Sequence, residues 1–247
     1  MQVCKVIFRL DFRRVCFELM DRPGVIMRLL NQLGDSYWDG FQDSPASRMV
    51  QATFYQKEGT AQRQFSVEPT NLNFSFQDAK GCEISSLESN ETFSSLMKVA
   101  TLICEEFSVK EFQRAGLRLV CLGQIGPKGT SLIPVFAKLV DGALLRQISD
   151  SLGIPEDYGL QLDGQGADKI KYHTMLGPYM EKDSKVFFDK VEKHIYTPSE
   201  KNLILDLDLY EESFDMTIKP NAWARPLLLK ASNLAKKSEA AITQKVK

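Results

Sequence analysis

QRAGLRLVCLGQ, from Gln113 to Gln124, opens the second half of this chain as VCKVIFRLDF, from Val3 to Phe12, opens the first. In the later stretch Leu117, Leu119 and Cys121 alternate with Arg118, Val120 and Leu122. In the earlier one Val6, Phe8, Leu10 and Phe12 alternate with Ile7, Arg9 and Asp11. A period of two sends successive side chains to opposite faces, so each stretch predicts a half-buried strand. Outward from both strands the same order of periodicities follows: an amphipathic helix, several alternating strands and a closing helix. The expected fold is therefore α+β with two similar halves, 1–110 and 111–247. Each half reads strand, helix, antiparallel strands, helix, with the helices on one face of a curved antiparallel sheet. The only candidate boundary, Ser108 to Glu111, is too short for a free linker, so the halves are expected to form one continuous body.

In the first half, alternation is expected to resume through Val15, Phe17 and Leu19 after a bend at Arg13-Arg14. Asp21 then caps a helix with Pro23 in its first turn, and Val25, Ile26, Leu29, Leu30 and Leu33 share its inner face before Gly34. Asp35 to Pro45 reads as a loop carrying Tyr37, Trp38 and Phe41. Strands are expected near 48–56, 62–68 and 71–77. Ser89 or Asn90 caps a helix whose inner stripe is Phe93, Leu96, Met97, Ala100, Ile103, Cys104 and Phe107. In the second half, Thr130 or Ser131 opens a helix continuing through Phe136, Leu139, Leu144 and Ile148 to Leu152. Strands near 159–163 and 169–177 come next, followed by a polar excursion, Glu181 to Glu200, and a strand over 203–210. A terminal helix over about 221–245 has Leu227, Leu228, Ala231, Leu234, Ala235 and Ile242 inside.

Composition narrows the class. The chain has 247 residues, 43% of them apolar and 26% charged, which suits a globular domain able to bury its own core. Lys and Arg number 31 against 32 Asp and Glu, a formal charge of −1, so no global pull toward nucleic acid or anionic lipid is expected. No segment approaches the roughly 20 apolar residues that span a bilayer. The five cysteines are scattered within apolar segments, as reduced thiols of a cytoplasmic protein would be.

The order of elements in each half is similar to TATA-binding-protein-like and helix-grip folds. In addition, Arg114-Ala115-Gly116-Leu117-Arg118-Leu119 resembles the Arg-x-Gly-Leu-Arg-Tyr motif of a sporadically distributed prokaryotic family, with Leu119 in the aromatic's place. Those proteins, of similar length, also begin with a Val-rich strand and end with an acidic strand and long helix. The family has no established activity, and the resemblance implies at most a role in an accessory or defence-type system.

The candidate chemistry is sparse. Gly123 to Ser131 joins strand to helix, where backbone N–H groups can hold an anion. Lys128 precedes Gly129, however, and this reverses the Gly-Lys-Ser/Thr order of a nucleotide loop. Asp206 and Asp208 share a strand face, with Glu211 just beyond. They are expected to pair with Arg114 and Arg118 if their strands are neighbours, and otherwise offer ligands for a divalent metal in phosphoester chemistry. His173 and His194 have no partner nameable from sequence. Lys230, Lys236 and Lys237 make the terminal helix the one strongly basic segment.

No cofactor or resident metal is called for. The leading expectation is a non-catalytic binding or regulatory module that engages a partner protein or a nucleic acid through Arg114, Arg118, Lys128, Lys230, Lys236 and Lys237. The alternatives are a metal-dependent phosphoesterase using Asp206, Asp208 and Glu211, and a helix-grip carrier of an apolar ligand.

Overall fold

Alternation carries β1, Gln2–Phe12, through the middle of the molecule, and the computed structural model describes residues 1–21, 23–31, 40–43, 52–58, 61–188, 197–198, 200–215 and 220–246. After β1 come two short helices, α1 (Glu18–Asp21) and α2 (Pro23–Asn31). A meander follows: β2 (Gly40–Asp43), β3 (Ala52–Glu58), β4 (Ala61–Glu68) and β5 (Asn71–Cys82). A 3-10 turn, Ile84–Ser89, and α3 (Glu91–Glu106) close the first half. The second half runs β6 (Glu111–Gly123), α4 (Ile133–Ala137), α5 (Gly142–Leu152), β7 (Leu160–Gln165), β8 (Lys171–Pro178) and α6 (Glu181–Phe187). It ends with β9 (Leu203–Asp215) and α7 (Pro220–Val246).

Among the described residues the strands form one curved, unclosed antiparallel sheet in the order β2-β3-β4-β5-β1-β6-β9-β8-β7. In each half the last strand returns to pair with the first, β5 with β1 and β9 with β6. The two first strands pair with each other at the centre, Phe8 opposite Leu117. The expected α+β architecture with two similarly wired halves is therefore what the chain adopts.

One sheet face is apolar and lies under the helices. Phe8, Leu10, Phe74, Leu117, Leu119 and Leu207 are all at most 1% exposed there. Phe8 sits between Phe74 and Trp223 of α7, with ring centroids 6.2 and 6.0 Å away. Burying a side chain of this size contributes about 1.5–3 kcal/mol. α3 lays Phe93, Leu96, Met97, Ala100 and Ile103 on this face, and the Asn90 side chain caps it by accepting from the Phe93 N–H at 3.1 Å.

Several expectations fail, for local reasons. Val15 and Phe17 do not extend β1: the chain bends at Arg13-Arg14 and enters α1, which leaves Phe17 71% exposed. Asp21 ends α1, and Pro23 is the first residue of α2. Within the expected loop, Gly40–Asp43 pairs with β3 as a strand. Tyr37, Trp38, Leu33, Gly34 and His194 lie outside the described residues. The single helix expected from Thr130 to Leu152 is two, because the Asp141 carboxylate accepts from the N–H groups of Ala143 and Leu144 and starts a new one. The excursion after Tyr179 begins with α6. On α7, Leu234 faces outward, 37% exposed.

Candidate functional site: the polar sheet face

The sheet's other face is polar. Period two puts Lys5, Ile7, Arg9 and Asp11 of β1 on it, with Arg114, Gly116 and Arg118 of β6. It also carries Asp206, Asp208, Tyr210 and Glu212 of β9 and Lys171, His173 and Met175 of β8. At one end Tyr179 and Phe188 cover it, packing against Cys4, Val120, Leu122 and Ile204 as a small second core. A bulge where β1 shifts register between Val3 and Lys5 accommodates Cys4 there.

Over the remainder of the face the charges are paired. Arg118 holds Asp206 with two bonds, Nε to Oδ1 at 2.8 Å and Nη2 to Oδ2 at 2.7 Å. The Asp206 side chain is 4% exposed, so its partner neutralises a desolvated carboxylate. That bond in turn raises the Arg118 pKa. Arg114 donates from Nη2 to Asp208 Oδ2 at 2.6 Å and lies over the Tyr210 ring, 4.3 Å from its centroid. Gly116 lies between the two arginines on the strand, beside this arrangement. A Cβ there would lie 3.5 Å from Tyr210 Cβ, 3.6 Å from Asp208 Oδ1 and 3.7 Å from Arg114 Nη2, ordinary contact distances that leave room for an alanine. Burial pushes the Asp208 carboxyl above its ordinary 3.8, against the pull of Arg114. Lys171 meets Glu212 at 2.5 Å, and His173 Nδ1 meets Asp163 Oδ1 at 2.6 Å.

The two arginines and two aspartates picked out by sequence are thus brought together as the expected cross-strand pairs. Glu211 is not with them. It falls on the helix side, where its Oε2 accepts from Trp223 Nε1 at 3.2 Å, because odd and even positions of a strand face opposite ways. The acidic trio of the phosphoesterase alternative is therefore split. Both Asp206 oxygens are occupied, and among the described residues no three His, Cys, Asp or Glu side chains converge as metal ligands. The helix-grip alternative places its ligand between sheet and long helix, where Phe8, Trp223, Leu227 and Ala231 fill the space.

The remaining basic candidates lie elsewhere. Lys230, Lys236 and Lys237 are exposed on α7, across the sheet from Arg114 and Arg118, and Lys230 pairs with Asp168. Lys128 is exposed in the turn after β6, where Gly126 and Gly129 take positive φ and Thr130 Oγ1 donates to the Pro127 carbonyl. The six do not form one surface.

Sequence reading missed the His173–Asp163 pair, whose signal was the matching polar position in each strand of a hairpin. It also missed the recess at Arg13-Arg14, hidden by reading those residues as a bend within a continuing strand. No described helix is long and apolar enough to cross a membrane. The chain matches no family model and no curated protein.

Proposed function

We propose that this protein is a non-catalytic binding module that docks a partner protein on the polar face of its sheet, which no described helix covers beyond the end at Tyr179 and Phe188. The observation that carries this reading is that face's internal charge pairing. Arg118–Asp206, Arg114–Asp208 and Lys171–Glu212 leave a nearly neutral, patterned surface, with Ile7, Tyr210 and Met175 among the charges. Such a surface selects by shape and charge pattern and lacks the net positive field that tracks a nucleic-acid backbone. Free thiols, with Cys4, Cys104 and Cys121 buried, support a reducing, cytoplasmic setting. The shared wiring of the halves supports an origin by internal duplication. An accessory or defence-type role rests on the resemblance around Arg114-Ala-Gly-Leu-Arg118 alone.

A photo-crosslinking amino acid at Ile7, with a control at the exposed Leu229 of α7, tests the docking reading in native extract. The Ile7 probe is expected to label one recurrent polypeptide that the Leu229 probe does not. Once purified, that polypeptide should bind the wild type and lose about tenfold or more in affinity with Ile7→Asp. Equal labelling from both positions, or binding indifferent to Ile7→Asp, rejects the proposal. A nucleic acid that binds in its place at low salt would substitute the other class of partner.

A further inference from the structure

Where β1 leaves the sheet, Arg9, Arg13, Arg14 and Arg114 line an open recess of about 640 Å³ together with Asp11 and Glu212. The four guanidiniums come from three places: β1, the bend after it and β6. Most of the local charge is already paired. Asp11 holds Arg9 through Nε at 2.7 Å, Asp208 holds Arg114, and Glu212 is engaged by Lys171. Arg13 and Arg14 share one carboxylate, Glu111, at 3.7 and 4.0 Å, and Arg14 is 86% exposed. The Arg9 pair uses its Nε, on a side chain 49% exposed. Arg114 Nε is buried with no hydrogen-bond partner among the described residues. Phe12 and Val15 add an apolar wall.

We infer that this recess is a binding site for a phosphate-bearing small ligand, with the phosphate held by Arg9, Arg14 and Arg114 and the apolar portion against Phe12 and Val15. The charge state of the ligand follows from the competition it must win. Each guanidinium already has a singly charged carboxylate within reach, so a second monoanion gains little by entering. A phosphate monoester carries about two negative charges, a diphosphate more, and each has several oxygens, enough to engage forks approaching from different directions at once. The volume lies in the range of small-ligand pockets, about 300–1,000 Å³. The turn at Lys128 offers no comparable convergence.

Calorimetry at low salt with inorganic pyrophosphate and with adenosine monophosphate tests the assignment. The wild type is expected to bind at least one of them. Arg13→Ser combined with Arg14→Ser should weaken that binding about tenfold or more, while Lys236→Ser with Lys237→Ser on α7 leaves it unchanged. The probe that binds more tightly tells an inorganic from an organic phosphate. Both arginines are surface residues, so the variant should keep the wild-type thermal midpoint. Arg9→Ser provides a second variant if it does not. No heat with either probe at millimolar concentration overturns the site, as does an equal loss in the α7 variant. Neither result bears on partner docking, which is read at Ile7.

Discussion

At the scale of single residues, the Arg114–Arg118 segment is a seat for two aspartates. Its glycine sits beside Arg114, Tyr210 and Asp208 at ordinary contact distances. Removing one partner of a desolvated pair leaves the other uncompensated. Arg118→Ala should therefore destabilise by about 2 kcal/mol, less than for a fully buried pair because Arg118 is 42% exposed. Urea unfolding measures it, and Arg118→Ala combined with Asp206→Ala should recover part of the loss. A double variant no better than the single would mean that the aspartate is not the source of the cost. Asp208 gives a pH signature. Its carboxyl is raised above 3.8 by burial, so the native state binds that proton more tightly than the unfolded chain. The associated stability is full below pH 3.8 and is lost as pH rises through the native value. Asp208→Asn should flatten the urea midpoint's dependence on pH just above 3.8. An unchanged slope would show that Arg114 cancels the effect of burial.

At the scale of elements, the end of α3 shows local and global preferences in conflict. The Val109 N–H bonds to the Cys104 carbonyl at 2.9 Å and the Ser108 N–H to the Glu105 carbonyl at 3.2 Å, the pattern that closes a helix with a left-handed residue. That residue is Ser108, at φ 52°. Glycine takes this conformation without a Cβ penalty, at the cost of a more flexible unfolded chain. Ser108→Gly should thus raise stability by a net of about 0.5–1 kcal/mol, read as a higher thermal midpoint. A fall would mean that the serine side chain contributes something the backbone does not reveal. Elements such as β1, β4, β6 and α3 were legible because one face is buried and the other is not, so period and burial agree. The break at Asp141 was not. Phe136, Leu139, Leu144 and Ile148 keep helical spacing across it, while the side-chain cap that restarts the helix depends on one carboxylate. Phe136 is 1% exposed and Leu144 50%, so the pattern continued where the packing did not. Phe17 misled in the same way, since an apolar residue in phase with a strand looks identical whether or not the strand continues.

At the scale of the molecule, the question is whether the halves fold separately. Their likeness was readable from matching periodicities, and Arg114 and Arg118 opposite an acidic strand were readable as candidate pairs. The adjacency of β1 and β6 was not, because nothing local specifies which strand edges meet. That adjacency makes each half the other's missing edge. β1 pairs with β6 from Gln2 opposite Leu122 to Phe12 opposite Phe112. Phe12 and Phe112 meet edge-on at 6.1 Å. The N-terminal ammonium bonds Glu239 at 2.7 Å, and α7 packs on α3 and on the 3-10 turn of the first half. A fragment ending at residue 110 would expose the β6 side of β1, a long edge carrying alternate fully buried apolar residues, and would lose Trp223 from beside Phe8 and the rest of α7 from the shared core. It should fail to fold alone, giving poor amide dispersion in NMR spectra, while the whole chain unfolds in one transition followed equally by near- and far-ultraviolet circular dichroism. A well-dispersed fragment, or two resolved transitions in the intact chain, would mean that the central pairing is a contact between finished domains and not the seam of a single core.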